Sequence, residues 1–364
     1  MLRLQRPLPD RYTQLSDAEL KTIISAAKAD LGDRLFILGH HYQRDDVIEF
    51  ADAFGDSFKL SLLAQERPDA DYIIFCGVHF MAESADILTA DDQQVILPDL
   101  NAGCSMADMA DIDQVEEMWE TISETIDADR VQPVTYMNSS AAIKSFVGKN
   151  GGAVCTSSNA RAVLEWSLER GDKVLFFPDQ HLGRNTALGM GYGRDDMRLW
   201  DPRKPGGGLT PADYEAATFF LWKGHCTIHQ RFRPEQVDAF RAEHPDGVVL
   251  IHPEAPYDAC EKADELGSTS YILRRVRELP AGTAIGIGTE VHLVNRLASM
   301  FPDKTIKNLD PLICPCSTMF RIDLPHLAWV LEELLAGKVV NQISVDADTT
   351  KWSKVALDRM LSIR

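Results

Sequence analysis

Arg34-Leu35-Phe36-Ile37-Leu38-Gly39-His40-His41-Tyr42 is an apolar run that stops at a glycine and then turns polar. Four consecutive apolar side chains leave a strand no solvated face. The run therefore predicts a strand buried on both sides, as in a parallel sheet, delivering imidazoles and a phenol at its carboxyl end. Working outward, a helix is expected before it, around 15–29, and another after it, from about 46 to 53, while Gly55-Asp56-Ser57 opens a third. The apolar run from Tyr72 to Cys76 then passes into Gly77-Val78-His79, a helix starts near Ala82, and Val95-Ile96-Leu97 leads to Cys104.

The same order of elements comes twice more. Pro133-Val134-Thr135 ends in Tyr136-Met137-Asn138, Cys155-Thr156-Ser157 opens a helix, and Val174-Leu175-Phe176-Phe177 ends in Pro178-Asp179-Gln180. Val248-Val249-Leu250-Ile251 ends in His252-Pro253-Glu254, Gly267-Ser268-Thr269 opens a helix, and a last strand precedes Cys316. His40, Tyr136 and His252 are 96 and 116 residues apart, and Ser57, Ser157 and Ser268 are 100 and 111 apart. Those periods are too long for a solenoid and suit small α/β domains with a parallel sheet between helices. Ligands of such sheets bind outside the carboxyl ends of the strands, so three units can present their polar ends and one cysteine each to a common centre. The stretch 187–220, with Gly206-Gly207-Gly208, interrupts the second unit and is expected as a flap or surface excursion; an amphipathic helix is expected from Leu324 to Leu335.

The composition of the 364 residues, 45% hydrophobic and 25% charged, is that of an ordinary soluble protein. A formal charge of −18 argues against nucleic acid as a partner. No stretch approaches a membrane span, and the first residues lack a leader pattern, so a cytoplasmic protein that does not engage membranes is expected. In a reducing compartment seven cysteines read as ligands plus buried spectators rather than as disulfides.

Cys104, Cys226 and Cys316 each follow or sit within a turn containing Gly or Pro at the end of a unit, and are read as one metal or iron–sulfur site. Three thiolates leave a fourth position open to substrate. Spacing alone leaves zinc open, and Cys314, two residues from Cys316, competes with it. Cys76, Cys155 and Cys260 fit buried structural thiols. The pairs His40/Tyr42, Tyr136/Asn138 and His252/Glu254 are spaced i, i+2, which puts a proton-transfer group beside a hydrogen-bonding partner on one side of each strand. His41 points the other way; His79, His181, His225 and His292 are weaker candidates. His229, three residues past Cys226, is placed to reach the same cavity. Ser57, Ser157 and Ser268/Thr269 stand where helices are expected to begin. There a hydroxyl either caps the helix or, with free N–H groups, takes a phosphate or carboxylate.

These motifs, with Gly103-Cys104-Ser105-Met106-Ala107-Asp108, Gly224-His225-Cys226-Thr227-Ile228-His229 and Gly288-Thr289-Glu290 in the same order, resemble the quinolinate synthase family, also called NadA, over roughly residues 35–330. The resemblance implies a [4Fe–4S] enzyme of de novo NAD biosynthesis. It would condense iminoaspartate with dihydroxyacetone phosphate to quinolinate, phosphate and water, with an iminoaspartate-producing oxidase as a partner. It implies three pseudo-threefold-related αβα sandwich domains around a central iron–sulfur site: 20–110 with C-terminal helices 317–364 packing back, 111–226, and 227–316. Cys104, Cys226 and Cys316 match the family's cluster ligands. His40, Tyr42, Ser57, Tyr136, Asn138, Ser157, His229, His252, Glu254, Ser268 and Thr269 match its substrate cavity; of these His40, Tyr42, Tyr136, His252 and Glu254 are the catalytic set. Ser317-Thr318 depart from the pattern that many relatives show after the last ligand, but Met319, three residues past Cys316, keeps it and favours Cys316 over Cys314. Ala255 stands where relatives often carry a cysteine. Outside the resemblance, a zinc-dependent lyase or hydrolase and an iron–sulfur redox sensor are the competing readings of the same thiols.

Overall fold

The apolar runs become strands in every case, and among the described residues the strands of each sheet pair with one another in parallel, with one antiparallel bridge from Ile96 to Gln342 at an edge. The computed structural model describes residues 5–312 and 315–363. The chain divides into one unit of residues 1–104 and 315–346 and another of residues 105–314 and 347–364.

In the first unit β1 (Leu35–His40), β2 (Ala53–Gly55), β3 (Tyr72–Cys76) and β4 (Gln94–Ile96) form a parallel sheet in the order β2-β1-β3-β4. Every residue of β1 is buried, which explains why no polar residue interrupts its run. The expected helix at 15–29 lies at Asp17–Leu31. Ser16 and Glu19 cap it reciprocally, and it packs against the amphipathic helix Leu324–Leu335. Of the apolar stripe on that second helix only Leu335 is exposed. The helix expected from 46 to 53 is cut to Asp45–Ile48. Asp52 ends it by donating its N–H to Ile37 O and accepting Ile37 N–H on its carboxylate, which lays Ala53–Gly55 beside β1 as an edge strand.

The second unit holds two sheets. Strands β5 (Val131–Tyr136), β6 (Ala153–Cys155), β7 (Lys173–Phe177), β8 (Met197–Trp200) and β9 (Phe219–Trp222) run in the order β6-β5-β7-β9-β8, and β10 (Val248–Ile251), β11 (Glu265–Leu266), β12 (Ala284–Gly288) and β13 (Thr305–Asn308) in the order β11-β10-β12-β13. With β8 set aside, all three sheets share one order: second strand, first, third, last. The stretch 187–220 is not a flap. It adds β8 as a parallel edge strand on β9, and Trp200, stacked on Tyr214 at 6.2 Å, roofs a turn in which Gly206, Gly207 and Gly208 all have positive φ. Glycine is required there for a second reason, because a Cβ on Gly207 would lie 2.3 Å from the Trp200 ring. Helix Ala347–Ser362 packs on Ala141–Lys149, where Arg359 donates to the carbonyls of Gly148 and Gly152. The C-terminal segment thus divides between the units.

The register explains the sequence spacing. His40 pairs with Gly55, Tyr136 with Cys155, and Ile251 with Leu266. Two residues past those partners come Ser57, Ser157 and Ser268, so within each sheet the polar end of the first strand lies beside the serine that follows its short neighbour.

Candidate active site

The cysteine of the second unit is delivered by a turn that only glycine allows. After β9, Gly224 accepts the N–H of Gln180 at 3.0 Å, and a Cβ on Gly224 would meet Pro178 O at 2.1 Å. This contact ties the end of β9 to the end of β7. The chain then turns back as Cys226 O accepts Gln230 N–H at 2.9 Å, and the single turn His229–Arg231 sends the His229 side chain inward, with the residue 2% exposed. From the adjacent sheet the chain leaves β10 in a tight turn, Ala255 N–H to His252 O, that buries both His252 and Glu254. Asn185, on the helix Gln180–Gly189, clamps this turn by donating to the carbonyls of Pro253 and Ala255 at 2.8 and 2.9 Å.

These turns bring one ligand atom each of Cys226, His229 and Glu254 within 4.8 Å of one another. His229 Nδ1 lies 2.9 Å from Glu254 Oε2, His229 Nε2 3.1 Å from Thr289 Oγ1, and the rings of His229 and His252 stack with centroids 4.6 Å apart. Tyr136 gives Glu254 a further hydrogen bond. Burial pushes the Glu254 carboxyl up, but the His229 imidazole and the Tyr136 hydroxyl outweigh it and hold the group below the usual carboxylate range. Asp179 goes the other way. Burial and the charge of Glu254 raise it well above its ordinary value, and its Oδ2 is buried without a hydrogen-bond partner among the described residues. The site therefore holds one carboxyl kept low and a second pushed up by burial and by the charge of the first, a division suited to base and acid roles. Burial lowers His252 to about 4, so its ring is neutral at pH 7. Because the Glu254 N–H faces His252 Nδ1 at 3.4 Å, the ring proton belongs on Nε2.

In the first unit His40 repeats that device. The Tyr42 N–H donates to His40 Nδ1 at 3.1 Å, and the two rings meet edge to face at 4.9 Å. Ser57 is the first residue of its helix, and the cap is Asp56. Ser157, half-buried, precedes the helix Ala160–Leu168 without capping it. Ser268 is a true cap, taking the Tyr271 N–H at 3.2 Å, and it also accepts from Ser158 Oγ at 2.8 Å; Thr269 beside it is buried. Asn138 is half-buried on the turn after β5.

The cysteines separate by environment. Cys104, Cys226 and Cys316 are partly exposed, whereas Cys76, Cys155 and Cys260 are buried. Burial raises all three of the latter, Cys76 and Cys260 to about 12, so these thiols stay protonated. Cys314 lies outside the described residues. The donor chemistry fits a metal centre: an accessible thiol at Cys226 stands beside an imidazole and an ionised carboxylate, with sulfur, nitrogen and oxygen all offered to one point.

Asp179 and Thr289 stand in motifs quoted from the sequence, but neither they nor Asn185 were among the expected site residues. Asp179 and Thr289 follow β7 and β12 as His40 and Tyr136 end their strands, and that repeated position was the signal available for them. Among the described residues no helix is long and apolar enough to cross a membrane.

The family model described as "Quinolinate synthetase A protein" matches residues 22–362. A curated quinolinate synthase of Corynebacterium glutamicum is 57% identical over 359 residues, covering 99% of this chain and 91% of its own. The quinolinate synthase of Nocardioides sp. is 58% identical, covering 98% and 92% of the two chains, and that of Acidobacterium capsulatum 56%, covering 98% and 96%. The chain belongs to the quinolinate synthase family, enzymes of NAD biosynthesis.

Proposed function

We propose that this enzyme condenses iminoaspartate with dihydroxyacetone phosphate to quinolinate, releasing phosphate and water. The observation that carries the reading is the buried contact of His229 with Glu254 beside the accessible thiol of Cys226, at the carboxyl ends of parallel strands. Cys104, Cys226 and Cys316 would hold a [4Fe–4S] cluster between three αβα domains. When bound, a cluster with one iron left to substrate supplies Lewis acidity to a hydroxyl or carboxylate oxygen.

The remaining chemistry falls to side chains. Glu254, kept ionised, takes a proton during tautomerisation and, once protonated, returns it to a departing hydroxyl, while His252, with its proton on Nε2, donates a hydrogen bond to the oxygen that develops charge. His40 and Tyr42 serve the triose end. Tyr136, Asn138 and His229 orient the dicarboxylate, and Ser57, Ser157, Ser268 and Thr269 take phosphate and carboxylate oxygens. A cytoplasmic location and supply by an iminoaspartate-producing oxidase complete the proposal.

A second reading has its own observation, since Cys226, His229 and Glu254 are a donor set that zinc also accepts. Anaerobic purification with iron, sulfide and zinc analysis, followed by assay for quinolinate from the two substrates, separates the two. A coloured protein containing iron and sulfide and forming quinolinate is expected; a colourless, zinc-loaded, active protein would refute the cluster. Loss of the cluster in Cys316→Ser but not in Cys314→Ser is expected, and the reverse would exchange the two.

A further inference from the structure

Behind the helix that clamps the His252–Glu254 turn lies a cavity of about 400 Å³, lined by the inserted stretch, by Arg184 of that helix and by Tyr257. Three arginines meet there in a protein of formal charge −18, and their partners differ. Arg198 is engaged by Asp213 at 2.8 Å and by the carbonyls of Asp195 and Met197. Arg194 lies over the Tyr257 ring at 4.7 Å, and exposed Asp258 is 3.4 Å away from it. Among the described residues the hydrogen-bond partners of Arg184 are neutral, Gln180 Oε1 at 3.1 Å and His181 Nδ1 at 3.4 Å. Burial disfavours its charge and Arg194 repels it; Asp179 offsets this only through its field, since no carboxylate among the described residues forms an ion pair with Arg184. A desolvated guanidinium with no ion-paired carboxylate is costly unless an anion completes it, and a guanidinium offers five donors in a planar fork that matches an oxyanion. Leu199 and Leu221 supply an apolar wall beside it, and a cavity of this size suits a small molecule.

We infer that this cavity is a second ligand site, separate from the catalytic cluster, which binds a small organic oxyanion with an apolar or aromatic body. Arg184 takes the phosphate or carboxylate, and Arg194 with Tyr257 covers the body. The site abuts the catalytic machinery through one helix, because Asn185, next to Arg184, holds the His252–Glu254 turn, and His181 Nε2 meets Gln230 Oε1 at 2.6 Å, one residue from His229.

Isothermal titration of the metal-loaded enzyme with inorganic phosphate, benzoate and adenosine 5′-monophosphate tests this. Saturable binding of benzoate or the nucleotide is expected, at least tenfold tighter than inorganic phosphate. The binding should weaken at least tenfold in Arg184→Gln and measurably in Arg194→Gln, and stay unchanged in Arg161→Gln, which alters an exposed arginine elsewhere. Arg194 is exposed, so its variant keeps the test meaningful if Arg184→Gln folds poorly. No binding of any probe, binding unaffected by both variants, or binding abolished by Ser268→Ala but not by Arg184→Gln would overturn the inference.

Discussion

His229 Nδ1 stands 2.9 Å from Glu254 Oε2, joining a residue just past β9 to a residue just past β10, 25 positions apart in sequence. Neither group is exposed, and the carboxylate keeps its charge because the ring and the Tyr136 hydroxyl offset its desolvation. Replacing Glu254 by Gln preserves shape but removes the base. Turnover should fall about 10²–10⁴-fold while circular dichroism and metal content stay near wild type. Full turnover in the variant would remove Glu254 from the proton transfers.

Acid should weaken the fold through two histidines. Burial holds both His181 and His252 at about 4, below the ordinary 6.5. Between those values the unfolded chain binds more protons than the native one, so their share of stability is present above about pH 6.5 and is lost as the pH falls toward 4. Asp179, raised by burial, has the opposite sign, since its ionisation in the unfolded chain costs native stability as the pH rises. The clean measurement is therefore a difference. Urea unfolding at pH 7 and pH 5 should show a smaller loss on acidification in His181→Asn than in wild type, and equal losses would exclude His181 as a contributor.

Thiol reactivity should follow the division of environments. In metal-free native protein Cys104, Cys226 and Cys316 should alkylate first, with Cys76, Cys155 and Cys260 protected until denaturant is added. Peptide mass mapping of the labelled protein reads this directly. Early labelling of Cys155 would contradict the burial argued for it.

Gly224→Ala should be damaging and Gly189→Ala harmless. The first Cβ would lie 2.1 Å from a backbone oxygen that cannot move without dragging Pro178, whereas the second meets nothing within 4 Å at a helix end. A loss of more than about 2 kcal/mol together with reduced metal uptake is expected for Gly224→Ala. Gly189→Ala should gain up to about 1 kcal/mol. Calorimetry and metal analysis of both variants decide the point.

The long strands were legible because burial on both faces forces continuous apolar runs, as in Leu35–Leu38 and Val174–Phe177. Their order could be read from the recurrence of His40, Tyr136 and His252. The edge strands β2, β6 and β11 were not legible, since two or three residues carry no period; Ala53 reads as the end of one helix and Gly55 as the opening of the next, and only the pairing of Asp52 with Ile37 lays 53–55 beside β1. Strand β8 was hidden in the same way, because Met197–Trp200 has no apolar run and is recognisable only when laid against β9.

What the sequence by itself determined is the fold class, the three repeats, the family and the candidate residues at strand ends, because these depend on local patterning and on residue identity. What only the tertiary structure decided is which groups meet. The opposite shifts of Glu254 and Asp179, the clamp of Asn185 on the His252–Glu254 turn, and the division between accessible and buried cysteines all arise from burial and from contacts between segments remote in sequence. Electrostatics in a low-dielectric interior depends on distance and desolvation, and a linear sequence specifies neither until the chain is packed.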